Sequence, residues 1–236
     1  MALTVIKNWD NKTWLSSNSY ISSFNNFLIK NINLNSNSTI LDIGCGRGKI
    51  LGALCSKLRL KVKPLGIDII DHKDKDKRID FQKINALNFS LTNNQKFDLI
   101  LIKQTIHLMK LNEIRKLLNS LKKRLNPKGK ILIFTLDTVE NEIPTFKLMK
   151  NKLKQSLKRD KKILEIITNL YSQRIKKRFI FKVQMNKKKY VEMIKNRYIS
   201  ILMPLSNKQL IQGIEEIELK YKEILKFKDK LICIIL

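Results

Sequence analysis

The amino-acid sequence predicts an α/β fold in which a mostly parallel sheet carries helices on both faces. A short apolar run at 39–43 passes into a glycine-rich turn and then into a segment with helical spacing. Four further apolar runs follow before residue 137 and alternate with segments that have helical periodicity. Parallel strands need crossover connections, which are usually helices, so this alternation favours a parallel sheet. The hydrophobic content of 43% in 236 residues is sufficient for the core of one domain.

The first strand ends in Asp42-Ile43, and the turn Gly44-Cys45-Gly46-Arg47-Gly48 follows it. Glycine is required where the backbone takes a positive φ or comes close to a ligand, and a helix N-terminus exposes unpaired amides. A helix is predicted over Lys49–Leu58. The spacing is Gly-x-Gly-x-Gly rather than the Gly-x-Gly-x-x-Gly of dinucleotide binders. The segment therefore predicts a cofactor cradle, with a purely structural glycine turn as the alternative.

The next apolar run ends in a second acid, Asp68, which lies 26 positions after Asp42. A βαβ unit brings such an acid beside the glycine turn, where its carboxylate can accept both hydroxyls of a ribose. An acid in a turn at a strand end is the structural alternative. The strands are predicted at 39–43, 62–68, 79–84, 97–103 and 130–134, with a helix over 117–125.

The run Leu41-Asp42-Ile43 followed by Gly-x-Gly-x-Gly resembles motif I of the class I methyltransferases that use S-adenosylmethionine. Asn85-Ala86 resembles the Asp-Ala pair of that family, with an amide in place of the acid. The resemblance extends over about Ser38 to Asp137. It implies a Rossmann-like, seven-stranded, mostly parallel sheet with an N-terminal helix and C-terminal helical insertions.

One domain over 1–236 is predicted, in three parts. Residues 1–37 form an N-terminal helical cap, 38–137 form the cofactor-binding core, and 138–236 form helical insertions and the last strands on the acceptor side. Within these parts we expect helices over 14–29 and 140–171, a sixth strand at 179–183, two helices around Pro204 within 187–226, and an antiparallel last strand at 231–236, with Ser206 capping the second helix of that pair.

The resemblance also implies the residues that contact S-adenosylmethionine. Asp42 would hold the methionine ammonium, the backbone carbonyl of Lys103 would face it, and Asp68 would take the ribose hydroxyls. Asn85 would accept from the adenine amino group, although a structural role is equally open for this residue. The full set of expected cofactor contacts is Asp42, Gly44, Cys45, Gly46, Asp68, Ile69, Asn85, Ala86 and Lys103.

On the acceptor side, His107 follows the fourth strand and is predicted to be the catalytic base, because an imidazole of near-neutral pKa suits that role. Arg197 could bind an acceptor carboxylate with its planar fork, and Tyr198 lies beside it in the C-terminal insertion. Trp14 and Tyr20 could close the pocket from the N-terminal side. For each of these residues, a place on the surface or in the core is the alternative. No metal is expected, because methyl transfer does not require one and the three cysteines show no ligand spacing.

The predicted function is methyl transfer to a small molecule by in-line displacement. The net charge of +28 keeps an RNA methyltransferase as the alternative. The abundant lysine, asparagine and isoleucine fit the codon usage of an AT-rich genome, so nucleic acid is not favoured. A cofactor-binding protein without transferase activity is a third reading.

The segment Lys103-Gln104-Thr105-Ile106 lacks the Asn/Asp-Pro-Pro-Tyr/Phe run that is typical of enzymes acting on exocyclic adenine amines or on protein glutamine. No apolar segment reaches the length of a membrane span. Residues 1–10 lack the features of a signal peptide, and no disulfide framework is visible, so a cytoplasmic setting is expected.

Overall fold

The computed structural model describes residues 12–236. One seven-stranded sheet with the strand order β3-β2-β1-β4-β5-β7-β6 forms its centre. The strands are β1 (Ile40–Ile43), β2 (Leu65–Asp68), β3 (Asp80–Lys83), β4 (Phe97–Lys103), β5 (Leu125–Leu136), β6 (Ile175–Asn186) and β7 (Ile224–Ile235). The helices of the described part are α1 (Asn18–Asn31), α2 (Lys49–Leu58), α3 (Ala86–Thr92), α4 (Leu111–Lys122), α5 (Lys147–Leu170), α6 (Lys187–Lys195) and α7 (Asn207–Lys220), joined by short 3₁₀ turns at Trp14–Ser16, Ile106–Leu108 and Ser200–Leu202.

The sheet is parallel from β3 across to β5, and β7 runs antiparallel between β5 and β6. β1 pairs with β2 on one side and with β4 on the other, so the chain reverses its direction of winding between these strands. Ligands in open α/β sheets bind at such a switch point, outside the carboxyl ends of the strands. The topology therefore places the carboxyl ends of β1, β2 and β4 beside one another, at the expected position of a ligand site.

Two apolar layers cover the sheet, one on each face. Leu99 and Leu101 of β4 belong to the layer packed against α1 and α2, whereas Ile100 and Ile102 belong to the layer packed against α3 and α4. Alternate side chains of a strand point to opposite faces, so a strand that is buried on both faces is apolar at every position. No helix within the described residues combines the length and the apolar character that a membrane span requires.

The predicted bounds of α2 and β4 are confirmed, and so are the antiparallel last strand and the Ser206 cap. Ser206 accepts from the Gln209 backbone, and the Gln209 side chain accepts from the Ser206 backbone, which completes a capping box.

Several boundary predictions are wrong. α4 covers Leu111–Lys122 rather than 117–125, and α5 begins at Lys147 rather than at 140. Two further errors have a cause that the structure shows. The N-terminal helix does not run on from Trp14, because Ser17 accepts a hydrogen bond from the Tyr20 backbone and starts α1 afresh at Asn18. The chain from Ile224 is strand rather than helix, because β7 pairs with β6 over its whole length. The first eleven residues of the predicted cap, 1–37, lie outside the described residues.

An aromatic cluster fastens α1 to the sheet. The Phe24 ring is fully buried and lies 4.7 Å from the Phe134 ring of β5 and 5.1 Å from the Phe179 ring of β6. Aromatic rings in such tilted and edge-to-face arrangements contribute beyond the apolar area that they bury. Tyr20 and Phe27 of α1 contact the same strands, and Phe24 lies at the centre of this cluster.

We predict that Phe24→Ala lowers the free energy of unfolding by about 3–5 kcal/mol, the range for removal of a buried aromatic side chain. Urea denaturation followed by circular dichroism measures this change. Leu219→Ala is the matched control, because Leu219 on α7 is 90% exposed and should change stability by less than about 0.5 kcal/mol. Similar stabilities for the two variants would contradict the role assigned to the cluster.

Candidate functional site

A cavity of about 530 Å³ opens at the carboxyl ends of β1, β2 and β4. Its volume is within the range of sites that enclose small organic ligands. The sequence-predicted site residues Trp14, Asp42, Gly44, Cys45, Gly46, Asp68, Ile69, Asn85, Ala86, Lys103, His107, Arg197 and Tyr198 all line it. Tyr20 is the exception: it is fully buried away from the cavity, with its ring packed between Phe179 and Phe181 of β6.

The glycine turn forms one wall of the cavity. Gly44 and Gly46 have φ angles of 72° and 56°, which strain any residue with a Cβ. A Cβ on Gly44 would lie 2.2 Å from the Thr105 hydroxyl oxygen, so that glycine is required for packing of the turn against the end of β4. A Cβ on Gly46 would meet no atom within 4 Å. The space beside Gly46 is therefore open to a ligand.

Asp68 holds the glycine turn in this shape. Its carboxylate accepts from the Gly46 backbone N–H at 2.9 Å and from the Ile70 backbone N–H at 3.0 Å. An ionised carboxylate has about four acceptor positions, so two remain for a ligand in the cavity. Ile69, the next residue, is 56% exposed and offers an apolar surface at the cavity rim.

Asp42 is buried beneath the turn at the end of β1. Burial raises the pKa of this carboxyl to about 7; the positive charge of Lys103 lowers it, and the negative charge of Asp68 raises it further. A carboxyl of this kind would bind a cationic ligand group readily, because a positive charge beside it would favour the ionised form.

The Lys103 side chain reaches the inner end of the cavity, where sequence analysis expects only its backbone carbonyl. Its ammonium nitrogen donates to the Gln104 side-chain oxygen at 3.1 Å and lies 5.2 Å from the centre of the Tyr20 ring. Its charge lowers the pKa of both Asp42 and Asp229, two acids that burial shifts upward. This cation therefore partly compensates two buried carboxyls.

Sequence analysis missed Asp229. The residue is 1% exposed in β7, lines the cavity, and accepts from the Trp14 indole N–H at 3.0 Å. Its neighbours on the same strand face, Leu225, Phe227 and Leu231, are buried and apolar. An acid among the apolar positions of a strand indicates a functional residue. This indication was not visible in the sequence, because the strand is predicted to begin only at 231 and Asp229 precedes it.

Asn85 and His107 differ from their predicted chemistry. The Asn85 side-chain oxygen accepts from the backbone of Leu87 at 2.9 Å and of Asn88 at 3.4 Å, so it caps α3. A contact with an adenine amino group would have to replace one of these bonds. The near-neutral pKa expected for His107 is wrong, because burial and the nearby charge of Arg159 lower the pKa of this imidazole to about 4. His107 is thus neutral at physiological pH.

Arg197 and Tyr198, the two predicted site residues of the C-terminal insertion, line the cavity, but both form hydrogen bonds within the protein. The Arg197 guanidinium donates to the Leu202 carbonyl at 2.6 Å and to the Asn207 side-chain oxygen at 3.1 Å. The Tyr198 hydroxyl shares a 2.8 Å hydrogen bond with Tyr190, and the Tyr198 ring packs 5.3 Å from Trp14. A grip of Arg197 on an acceptor carboxylate would have to replace bonds that fold the insertion between α6 and α7.

The side of the cavity built by the later chain is apolar, and we refer to it as the apolar recess. One face of α5 contributes Leu153, Ser156 and Asp160 to it. Asp160 is 2% exposed, its Oδ1 atom has no hydrogen-bond partner, and burial raises its pKa to about 6. The sequence predicted a helix here, over 140–171, but no site residue on it. The apolar side chains of the recess are Leu108, Met109, Leu136, Ile143, Leu153, Ile199, Ile201 and Met203.

The chain matches a known protein family over most of its length. A family model described as "Methyltransferase domain" matches residues 34–198. A search of curated proteins finds no significant match.

Several solved structures share the fold at low sequence identity. One, from Anabaena variabilis, is described as a methyltransferase of an antibiotic biosynthesis pathway; it is 16% identical with a TM-score of 0.62, over 89% of this chain and 95% of that one. A plantazolicin methyltransferase, BpumL, solved with SAH and a monoazolic desmethylPZN analog is 18% identical with a TM-score of 0.52, over 97% of this chain and 86% of that one. A precorrin-6y C5,15-methyltransferase from Geobacter metallireducens is 9% identical with a TM-score of 0.53, over 95% and 90%.

We predict that Asp42→Asn changes the pH dependence of stability. The native state keeps a proton on Asp42 up to about pH 7, whereas an unfolded aspartate loses it near about pH 4. The stability linked to that proton is complete below the unfolded pKa and is lost as the pH rises through the native value. The variant should therefore gain stability relative to the parent between about pH 4 and 7, by at most about 4 kcal/mol at roughly 1.4 kcal/mol per unit.

Denaturation of both proteins at several pH values measures this difference. Asp80→Asn is the control, since Asp80 is an exposed acid at the amino end of β3. A constant difference between Asp42→Asn and the parent across the range would show that Asp42 is ionised in the native state.

Proposed function

The chain belongs to the methyltransferase-domain family and is a class I S-adenosylmethionine-dependent methyltransferase; on this premise, we propose that its methyl acceptor is a small molecule. When bound, S-adenosylmethionine would supply a sulfonium methyl group: the acceptor lone pair would form a bond to the methyl carbon in line, as the carbon–sulfur bond breaks and the thioether, S-adenosylhomocysteine, leaves. The protein must align the two reactants and exclude water. No nucleophilic side chain is needed for this chemistry.

The observation that carries the proposal is the continuity of one cavity from the glycine turn to the apolar recess. Gly46 and Asp68 lie at one end, whereas Leu136, Ile143 and Leu153 lie at the other. Apolar walls with a few polar groups are typical of sites for small organic ligands. The plantazolicin and precorrin-6y methyltransferases are named after small organic molecules, and this supports the same class of acceptor here.

We assign the cofactor to the end of the cavity beside the glycine turn. The open space at Gly46 admits a ligand close to the backbone, and the two remaining acceptor positions of Asp68 suit the ribose hydroxyls. Asp42 suits the methionine ammonium, because a cation would stabilise its ionised form. Cys45, Ile69 and Ala86 would provide the contacts along the rim.

We assign the acceptor to the apolar recess. His107 is neutral, so one imidazole nitrogen can accept a hydrogen bond or a proton from the acceptor. Trp14 and Tyr198 would form a rigid wall, since each has a hydrogen-bond partner inside the protein. Arg197 would hold the insertion in place through the Leu202 carbonyl rather than contact the acceptor.

We predict that Asp68→Ala raises the Kd for S-adenosylmethionine by about 100-fold or more, because two charge-assisted hydrogen bonds are worth about 1.5–3 kcal/mol each. Gly46→Val should abolish binding, since its side chain would fill the open space and strain the positive φ. Titration calorimetry measures both affinities. Asp80→Ala is the matched control and should bind as the parent does. If Asp68→Ala and Gly46→Val bound S-adenosylmethionine as tightly as the parent does, the assignment of the cofactor to this end of the cavity would be wrong.

The acceptor class is tested with methyl-labelled S-adenosylmethionine. The full-length protein is incubated with a small-molecule extract or with total RNA at near-physiological salt, and each fraction is assayed for label. We expect label in the small-molecule fraction. Label in RNA alone would overturn the proposal in favour of an RNA methyltransferase. Cofactor binding without transfer to either fraction would favour a protein that binds the cofactor but does not transfer its methyl group.

A further inference from the structure

The charged side chains around the apolar recess differ in whether they have hydrogen-bond partners. Arg159 donates to the His107 carbonyl at 3.0 Å, and Arg197 donates to the Leu202 carbonyl at 2.6 Å. Both arginines therefore donate to oxygens of the protein itself, and Arg197 also donates to the Asn207 side-chain oxygen at 3.1 Å. Asp160, by contrast, keeps Oδ1 without any hydrogen-bond partner.

A buried carboxylate oxygen without a partner is unfavourable in the free protein. Removing a charged group from water destabilises it by several kcal/mol unless a cation or hydrogen-bond donors compensate. Asp160 is 2% exposed and lies beside Leu153 and Ser156, so water from the surface has little access to it. Within the described residues, no lysine or arginine forms an ion pair with it. The positive charge of Arg159, the preceding residue, lowers the pKa of Asp160, but the Arg159 guanidinium donates to the 3₁₀ turn at Ile106–Leu108 and leaves Oδ1 without a partner.

Asp160 differs from the other buried acid of the recess. Asp229 accepts from the Trp14 indole at 3.0 Å and is compensated by the charge of Lys103. The protein therefore supplies a hydrogen-bond donor and a nearby positive charge to Asp229, whereas Asp160 lines the cavity with one oxygen that has no partner.

We propose that Asp160 binds a positively charged nitrogen of the methyl acceptor, so that the acceptor is an apolar molecule with a basic amine or amidine-like group. This inference rests on the proposed function and specifies its substrate class. The apolar side chains of the recess hold the body of the acceptor, and the carboxylate holds its cationic end. A protonated nitrogen has no lone pair for the displacement, so this nitrogen anchors the acceptor and a different atom receives the methyl group.

Sorting the acceptors by charge provides the first test. Small molecules from an extract are separated on cation- and anion-exchange resins near neutral pH and offered to the protein with methyl-labelled cofactor. The inference expects label in the fraction that the cation exchanger retains. Label confined to the acidic or neutral fractions would overturn the inference while leaving the proposed function intact, whereas label in RNA alone would overturn both.

A pair of probes of equal chain length tests the site without any need for turnover. Hexylammonium should stabilise the cofactor-bound protein in a thermal-shift titration, and hexanoate should not. The hexylammonium effect should disappear in Asp160→Asn and persist in Glu165→Gln, the matched control, because Glu165 is an exposed acid on the same helix. Equal effects of the two probes, or an ammonium effect that survives in Asp160→Asn, would contradict the inference.

The melting temperature of the free protein separates the proposed role of Asp160 from a purely structural one, because the two roles predict changes of opposite sign in Asp160→Asn. Asp160→Asn should raise the melting temperature of the free protein by about 2 °C or more, since a buried charge that Arg159 compensates only in part is removed. Its affinity for S-adenosylmethionine should be unchanged, and its KM for the labelled acceptor should rise about tenfold or more through loss of a charge-assisted bond. A lower melting temperature with an unchanged KM would assign Asp160 to the core instead.

Discussion

The hydrogen bond from the Gly46 backbone N–H to the Asp68 carboxylate is the interaction on which the rest of the site depends. It ties the turn after β1 to the end of β2, and the Gly44 and Cys45 N–H groups reinforce it by donating to the Ile67 carbonyl. These bonds hold the turn in its positive-φ conformation and allow α2 to begin directly after it. Asp68 therefore shapes the cavity before any ligand arrives. Its proposed role in binding would use the acceptor positions that remain, which would couple the shape of the turn to the occupancy of the site.

Buried acids dominate the electrostatics of the cavity although the protein as a whole is strongly basic. Burial raises the pKa of Asp42, Asp160 and Asp229, and each of them lines the same cavity. Lys103 compensates the first and the last of these but not Asp160. Unpaired buried charge lowers stability, and such strain is retained where function requires it. The surface charge and the cavity charge are thus separate properties of this chain, and only the cavity charge is shaped by the fold.

The parts of the structure that local sequence determines could be predicted, and the parts that depend on distant pairing could not. The bounds of α2 and β4 follow from glycine punctuation and from an unbroken apolar run. The start of β7 was predicted at 231 rather than at Ile224, because the predicted helix was extended to 226. The lysines of 226–230 alternate with other residues at the period of a strand, and pairing with β6 fixes this half of β7. That error concealed Asp229. Arg197 was predicted to bind an acceptor, but its positive φ of 51° and its bond to the Leu202 carbonyl arise only when the insertion folds.

The two sides of the cavity are built differently: one comes from consecutive strands, and the other comes from segments that are far apart in the sequence. The glycine turn, Asp42 and Asp68 come from consecutive strands, so their spacing is visible in the sequence. The recess is assembled from distant segments: the Trp14 indole contacts Asp229 across 215 positions, and α5 brings Asp160 to the same cavity. Because β7 runs antiparallel, its first half lies beside the carboxyl ends of the parallel strands and can contribute to the site. If the acceptor binds in the recess as proposed, substitutions there would change the acceptor without disturbing the bonds that shape the glycine turn, and the identity of the acceptor would depend on residues that belong to no local motif.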